Sequence, residues 1–153
     1  MHPLELKVPP PVVLLISVAL IWVADRLFPE LSAHSVLSAP LTILLALAGI
    51  ALGIAGVWEF RRAQTTVNPH HPEHTSAIVT SGIYARTRNP MYLGLTLLVA
   101  AAAAWYGNLI GGLIVPLFVL YINRFQIVPE ERTLNAKFGV AFRDYCGKVR
   151  RWI

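Results

Sequence analysis

Apolar and polar positions fall along this chain in long blocks rather than in a fine alternation. Residues 12–24 carry no charge before Asp25 and Arg26 close the run; residues 40–58 are again uncharged, and so are the 31 residues of 93–123. Blocks this long and pure predict membrane-crossing helices rather than half-apolar core helices. As one helix the third block would measure about 46 Å, against a hydrocarbon layer of about 30 Å. It has to fold back, and Trp105, Tyr106, Gly107 and Asn108 combine interface aromatics with turn residues where the break belongs. The expected fold is therefore all-α integral membrane, with four transmembrane helices at about 11–28, 40–58, 90–106 and 109–128, the last kinked at Pro116.

Downstream the pattern changes. Pro129 followed by Glu130 and Glu131 reads as a helix start. Leu134, Phe138, Phe142, Tyr145 and Val149 then recur at helical spacing, while Arg132, Lys137, Arg143 and Lys148 lie mostly elsewhere around the wheel. A C-terminal amphipathic interfacial helix over 129–149 is expected, and the polar segment 61–89 is left as a cytoplasmic loop. Gly49, Gly53 and Gly56 lay small residues on one face of the second helix, suited to a close helix contact within the chain or between copies.

Composition agrees with a membrane protein: 56% hydrophobic, 14% charged, and at 153 residues a single domain. The net charge of +5 matters through its location. Arg61, Arg62, Arg86 and Arg88 precede the third helix, Arg124, Arg132, Lys137, Arg143, Lys148, Arg150 and Arg151 follow the fourth's core, and the turn at 105–108 carries none. Four crossings put both cationic segments and both termini in the cytoplasm; three would divide them, against the positive-inside bias. A basic chain so arranged answers to a membrane surface, not to nucleic acid. A cleaved signal peptide is the alternative for the first block, but only Lys7 precedes it and no small-residue cleavage site follows. The lone Cys146 excludes an internal disulfide framework and reads as a packing residue.

Chemistry concentrates at two helix starts. Asn89 and Pro90 form a cap and first residue for the third helix, and with Arg86 and Arg88 beside it this end would take a carboxylate or phosphate, or simply meet lipid headgroups. Glu130 and Glu131 either complement a helix dipole or bind a cation. A ligand with a carboxylate, an ammonium and a sulfonium, such as S-adenosylmethionine, matches that pairing. There is no G-x-G-x-x-G after a strand and no P-loop, so any cofactor site is built from helix ends and the loop. The cluster HHPEH at His70–His74 could bind zinc, yet Pro72 interrupts any helix and no cysteine lies near; a solvated loop or cofactor lid is expected instead of a metal site.

The stretches SAIVTSGIYARTRNPMYLGL, 76–95, and EERTLNAKFGVAFRDYCGKVRRW, 130–152, resemble the integral-membrane methyltransferases of the isoprenylcysteine carboxyl methyltransferase and phospholipid methyltransferase superfamily. The matching elements are a serine-glycine-x-tyrosine turn, an arginine-x-proline-x-tyrosine step, and a paired glutamate followed by phenylalanine-glycine and a tyrosine. The resemblance implies S-adenosylmethionine bound at the cytoplasmic face. Carried over by position, Ser76, Ala77, Ile78, Val79 and Tyr84 would line it, Asn89, Pro90, Met91 and Tyr92 would meet it at the helix mouth, and Glu130 would hold its amino group; Arg88 matches the family arginine. Two positions depart from the pattern. Asn89 stands where histidine is usual and can hydrogen-bond but not act as a base near neutral pH. Gln126 stands where the prenylcysteine enzymes have an arginine for the substrate carboxylate, with Arg124 nearby.

Direct methyl transfer to a lipophilic acceptor from the bilayer is the expected activity, demanding alignment and exclusion of water above all. Arg124 is expected either to orient the acceptor or to snorkel to headgroups. An amine acceptor would want a base, for which Glu131 is the candidate. The acceptor stays open among prenylcysteine, phospholipid, fatty acid, isoprenoid and thiol, the alternatives being a phospholipid N-methyltransferase and a non-catalytic four-helix protein that binds lipid or a partner.

Overall fold

The computed structural model describes residues 5–33, 35–64 and 77–153, which form helices and, among the described residues, no strand beyond one isolated bridge between Ser32 and Asn108. The helices are α1 (Pro10–Leu27), α2 (Ser38–Arg62), α3 (Pro90–Tyr106), α4 (Leu109–Ile122), α5 (Val128–Phe138) and α6 (Val140–Lys148). The uncharged run folds back at Gly107, whose φ of +62° ends α3 and whose missing Cβ would stand 2.6 Å from the Ala33 carbonyl. Asn108 then caps α4, accepting from the amides of Ile110 and Gly111 at 3.0 and 3.1 Å. Its side-chain amide donates to the Phe28 carbonyl at 2.8 Å, stitching the α1–α2 connection to the α3–α4 turn at one end of the bundle.

Helix α3 is the centre, packing on α1, α2 and α4. It meets α2 backbone to backbone, because a Cβ on Gly49 or on Gly94 would lie 2.7 or 2.6 Å from the other's carbonyl oxygen. Ile21, Val99, Phe118, Ile122 and Ile127 fill the core, while Leu44, Leu47, Ile54, Leu113 and Leu120 point outward, an apolar exterior suited to lipid. Among the described residues three helical stretches are long and apolar enough to cross a membrane: Pro10–Leu27, Ser38–Arg62 and Leu109–Phe138. Helix α3, apolar and 17 residues long, is shorter.

Two elements differ from expectation. The fourth helix does not stop near 128: a π-helical turn at Asn123–Ile127, with the Val128 N–H on the Asn123 carbonyl, carries α4 into α5, and the Phe125 carbonyl that Pro129 cannot serve accepts from the Leu6 N–H at 3.0 Å. The amphipathic stretch 129–149 is not one helix either, since Gly139 at φ +54° breaks it into α5 and α6. Its apolar residues close on the protein itself, with Phe142, Tyr145 and Val149 packed against Leu134, Phe138 and Ile78.

Candidate functional site

At the end of the bundle opposite the Ser32–Asn108 stitch, the start of α3 meets the end of α2, the start of α1, and α5 and α6. They enclose a cavity of about 410 Å³, within the range of small-molecule sites. Of the residues singled out in the sequence, Ala77, Ile78, Val79, Tyr84, Arg88, Asn89, Met91, Tyr92, Glu130 and Glu131 line it. Pro90 is buried behind them, against α2 near Gly56. Ser76 and the cluster His70–His74 lie outside the described residues.

The polar end is organised around α3's first turn. Tyr92 donates its hydroxyl to Glu130 Oε1 at 2.5 Å, tying α3 to α5. Among the described residues no basic side chain pairs with Glu130. Pro90 opens α3 and no side chain caps it, which leaves the amides of Met91 and Tyr92 uncapped at the cavity. Asn89 sits at the cap position without capping: its side-chain amide donates to the Arg151 carbonyl at 3.0 Å, because the C-terminal strand of chain crosses there.

Arg88 departs from the expected free anion-binding group. Its Nη1 donates to the carbonyls of Cys146 and Val149 at 3.1 and 2.6 Å, its Nη2 to Glu131 Oε1 at 2.9 Å, and its backbone N–H to the Arg150 carbonyl at 3.0 Å. Only its Nε–H is buried without a partner. Glu131, the expected base, also accepts from Arg151 Nε at 3.1 Å and Nη2 at 2.6 Å, so both its oxygens are engaged by guanidinium protons. It thereby ties the C-terminal segment to α5. Arg124 lies outside the cavity lining and half exposed, with its Nη1 on Glu5 Oε1 at 2.9 Å. Gln126 is fully buried and donates to the Val8 carbonyl at 2.7 Å, also outside the cavity lining.

Sequence reasoning passed over several lining residues. Phe60, Phe142 and Tyr145 add aromatic wall to Tyr84, and Phe60 meets Tyr84 edge-on at 5.2 Å between ring centres. Tyr145 donates to the Tyr84 carbonyl at 2.7 Å, and burial pushes both phenols well above the usual tyrosine range, so they act as neutral donors. Glu59, buried near the end of α2, accepts from Ser81 at 2.5 Å and lies against Gly82, whose φ of +56° turns the loop toward Tyr84. The helical spacing of Phe142 and Tyr145 was the available signal; Glu59 offered none. Burial raises the Cys146 thiol from its ordinary value, with Arg88 pulling the other way, as befits a packing residue.

The other end is apolar. Gly53 and Val57 of α2, Leu95 of α3 and Pro10 and Pro11 of α1 form its wall.

Comparison with known proteins bears on this cavity. The model of the phospholipid methyltransferase family matches residues 37–141, more than half of the chain. A protein of Haemophilus influenzae (strain ATCC 51907 / DSM 11121 / KW20 / Rd), named only as an uncharacterized protein, is 49% identical over 63 residues, 41% of this chain and 100% of that relative. No solved structure matches.

Proposed function

Since the chain belongs to the phospholipid methyltransferase family, we propose that it is an integral-membrane methyltransferase that uses S-adenosylmethionine and acts on a lipid acceptor. The observation that carries this is the two-ended cavity, with an unpaired acid and uncapped helix amides at one end and an apolar arm between helices at the other.

The residues present fit the cofactor. Glu130 would hold its ammonium, the amides of Met91 and Tyr92 with the orphan Arg88 Nε–H would take its carboxylate, and the rings of Tyr84, Tyr145, Phe60 and Phe142 would bracket the adenosyl part. When bound, S-adenosylmethionine supplies an electrophilic methyl group. The chain's share is alignment and dryness: α6 covers the loop 77–79 from the aqueous side, and the packed aromatic wall excludes water.

The surrounding charges bear on the acceptor. Arg88 and Arg151 are committed to Glu131 and backbone carbonyls, Arg124 to Glu5, and Gln126 to Val8. Arg88 is the arginine among the cavity-lining residues, and with its guanidinium so engaged the lining offers no free fork for a carboxylate headgroup, which supports an amine-bearing phospholipid over a prenylcysteine. An amine reacts through its lone pair, so its ammonium proton must leave first; with Glu131 engaged and Glu130 assigned to the cofactor, water is its acceptor. The cavity end also gathers Arg86, Arg88, Arg150 and Arg151, and the α2 terminus with Arg61 and Arg62, consistent with four crossings and a cytoplasmic site.

The test is calorimetry of the purified protein with S-adenosylhomocysteine, followed by labelled methyl transfer into phosphatidylethanolamine vesicles and into a prenylcysteine analogue. Binding and labelled phospholipid are expected. Label confined to the prenylcysteine would refute the amine acceptor; no binding would favour a non-catalytic lipid-binding protein. Glu130→Ala should weaken binding roughly tenfold to hundredfold, the worth of one charge-assisted hydrogen bond, and unchanged affinity would remove Glu130 from the site.

A further inference from the structure

The apolar arm of the cavity has a side chain missing from its wall. Gly53 lies in the interior of α2, where glycine is less favourable than alanine. Its neighbours on the same helix must be small: a Cβ on Gly49 would stand 2.7 Å from the Gly94 carbonyl oxygen, and one on Gly56 2.6 Å from Met91 Cγ. Gly53 has no such constraint, since a Cβ there meets nothing within 4 Å. Yet it faces the cavity, in one stripe with Val57 and Phe60 four and seven residues on.

Seven helical residues separate Phe60 from Gly53 on α2, and five separate Pro90 from Leu95 on α3. These intervals amount to about 10 and about 7–8 Å along the helix axes, so the arm runs roughly that far from the polar end into the apolar body of the bundle. Its named wall residues are apolar. A zwitterionic cofactor finds no partner there, whereas a hydrocarbon chain does.

We propose that Gly53 is a specificity-determining residue: the room left by its absent side chain seats the hydrocarbon portion of the acceptor beside the reactive end, and the size of residue 53 sets the bulk that is accepted. This rests on the methyl-transfer function proposed above. A leucine at 53 projects into that room and shortens the arm without touching Glu130, Tyr92 or Arg88. Gly112 of α4 provides the control, being equally open to a Cβ but outside the cavity lining.

The experiment compares wild type, Gly53→Leu, Leu95→Phe from the opposite wall, and Gly112→Leu. Each is tested for S-adenosylhomocysteine affinity and for labelled methyl transfer to long-chain and to dihexanoyl phosphatidylethanolamine. Gly53→Leu should bind S-adenosylhomocysteine within about twofold of wild type while its long-chain to short-chain rate ratio falls by about tenfold or more, the range by which a pocket discriminates single methyl-sized groups. Leu95→Phe should shift the ratio the same way and Gly112→Leu should leave it alone. An unchanged ratio in both cavity variants overturns the proposal, as does loss of S-adenosylhomocysteine binding in step with the rate, which would make the arm part of the cofactor's seat. Wild type that transfers no methyl group to either lipid overturns the parent function and this inference together, and so is distinguishable from failure of the inference alone.

Discussion

Replacing Arg88 separates two roles that the sequence alone left merged. As a free cation at a helix mouth, its loss would weaken an anionic ligand and leave the fold untouched. As the structure has it, the guanidinium makes three charge-assisted hydrogen bonds, at 3.1, 2.6 and 2.9 Å, with its side chain only 13% exposed. Each such bond contributes about 1.5–3 kcal/mol. They do not add fully, because Glu131 keeps Arg151 and water can reach part of the gap, so the cost is better bounded by the roughly 3–5 kcal/mol for removing one member of a buried pair. At about 2–4 °C per kcal/mol for a chain of this length, Arg88→Ala should lower the unfolding midpoint in detergent by roughly 6–20 °C. Arg88→Lys should recover less than half, since one ammonium cannot reach acceptors set for a planar fork. The assay is thermal unfolding with and without S-adenosylhomocysteine. A variant that unfolds within about 1 °C of wild type would refute the structural tie, whatever it does to ligand binding.

Three further outcomes follow from the geometry. Gly94→Ala puts a Cβ 2.6 Å from the Gly49 carbonyl and 3.2 Å from the Gly53 amide nitrogen, both backbone, so α2 and α3 must separate; the overpacking cost of about 1–3 kcal/mol should exceed the roughly 1 kcal/mol gained in helix propensity. A variant more stable than wild type in detergent unfolding would contradict the close crossing. Tyr145→Phe strips the buried Tyr84 carbonyl of its donor and should cost about 1–3 kcal/mol in the same measurement, an effect below a few tenths showing the bond to be incidental. Because burial raises the Cys146 thiol, less thiolate is present near neutrality than for an ordinary cysteine. Its alkylation by iodoacetamide should therefore be slower than that of a free thiol and climb only at higher pH; a rate matching free cysteine at pH 7 would count against its packing in α6.

The helices were legible because the bilayer imposes lengths that an apolar run displays directly, and the fold-back at Gly107–Asn108 because turn residues interrupt that run. The cavity residues near Tyr84, Asn89 and Glu130 were legible through motifs. What the sequence concealed is what backbone groups do. Arg88 and Asn89 also hold the scaffold through carbonyls of Cys146, Val149 and Arg151, and a carbonyl has the same signature at every position. The join of α4 to α5 was hidden for a related reason: Pro129 announces a helix start, and only the wide turn before it lets the helix run through. Depth along a helix does not give orientation, so the sequence left Arg124 open between facing an acceptor and reaching outward; it lies half exposed against Glu5, outside the cavity lining.

One helix face both closes and opens the site. Gly49 meets Gly94 of α3 backbone to backbone and Gly56 takes the Met91 side chain against α2, which fixes the spacing of the two walls. Gly53, between them in sequence, keeps that closeness from filling the space beside Leu95, while Val57 and Phe60 continue the wall toward Tyr84. The polar end is held from the other direction, where Arg88, Glu131 and Arg151 fasten the chain's last residues across the start of α3, while Glu130 in the cavity lining has no cationic partner among the described residues. Rigidity thus comes from glycine contacts on one side and a charge cluster on the other, and the side chains left uncommitted between them are those that can serve a ligand.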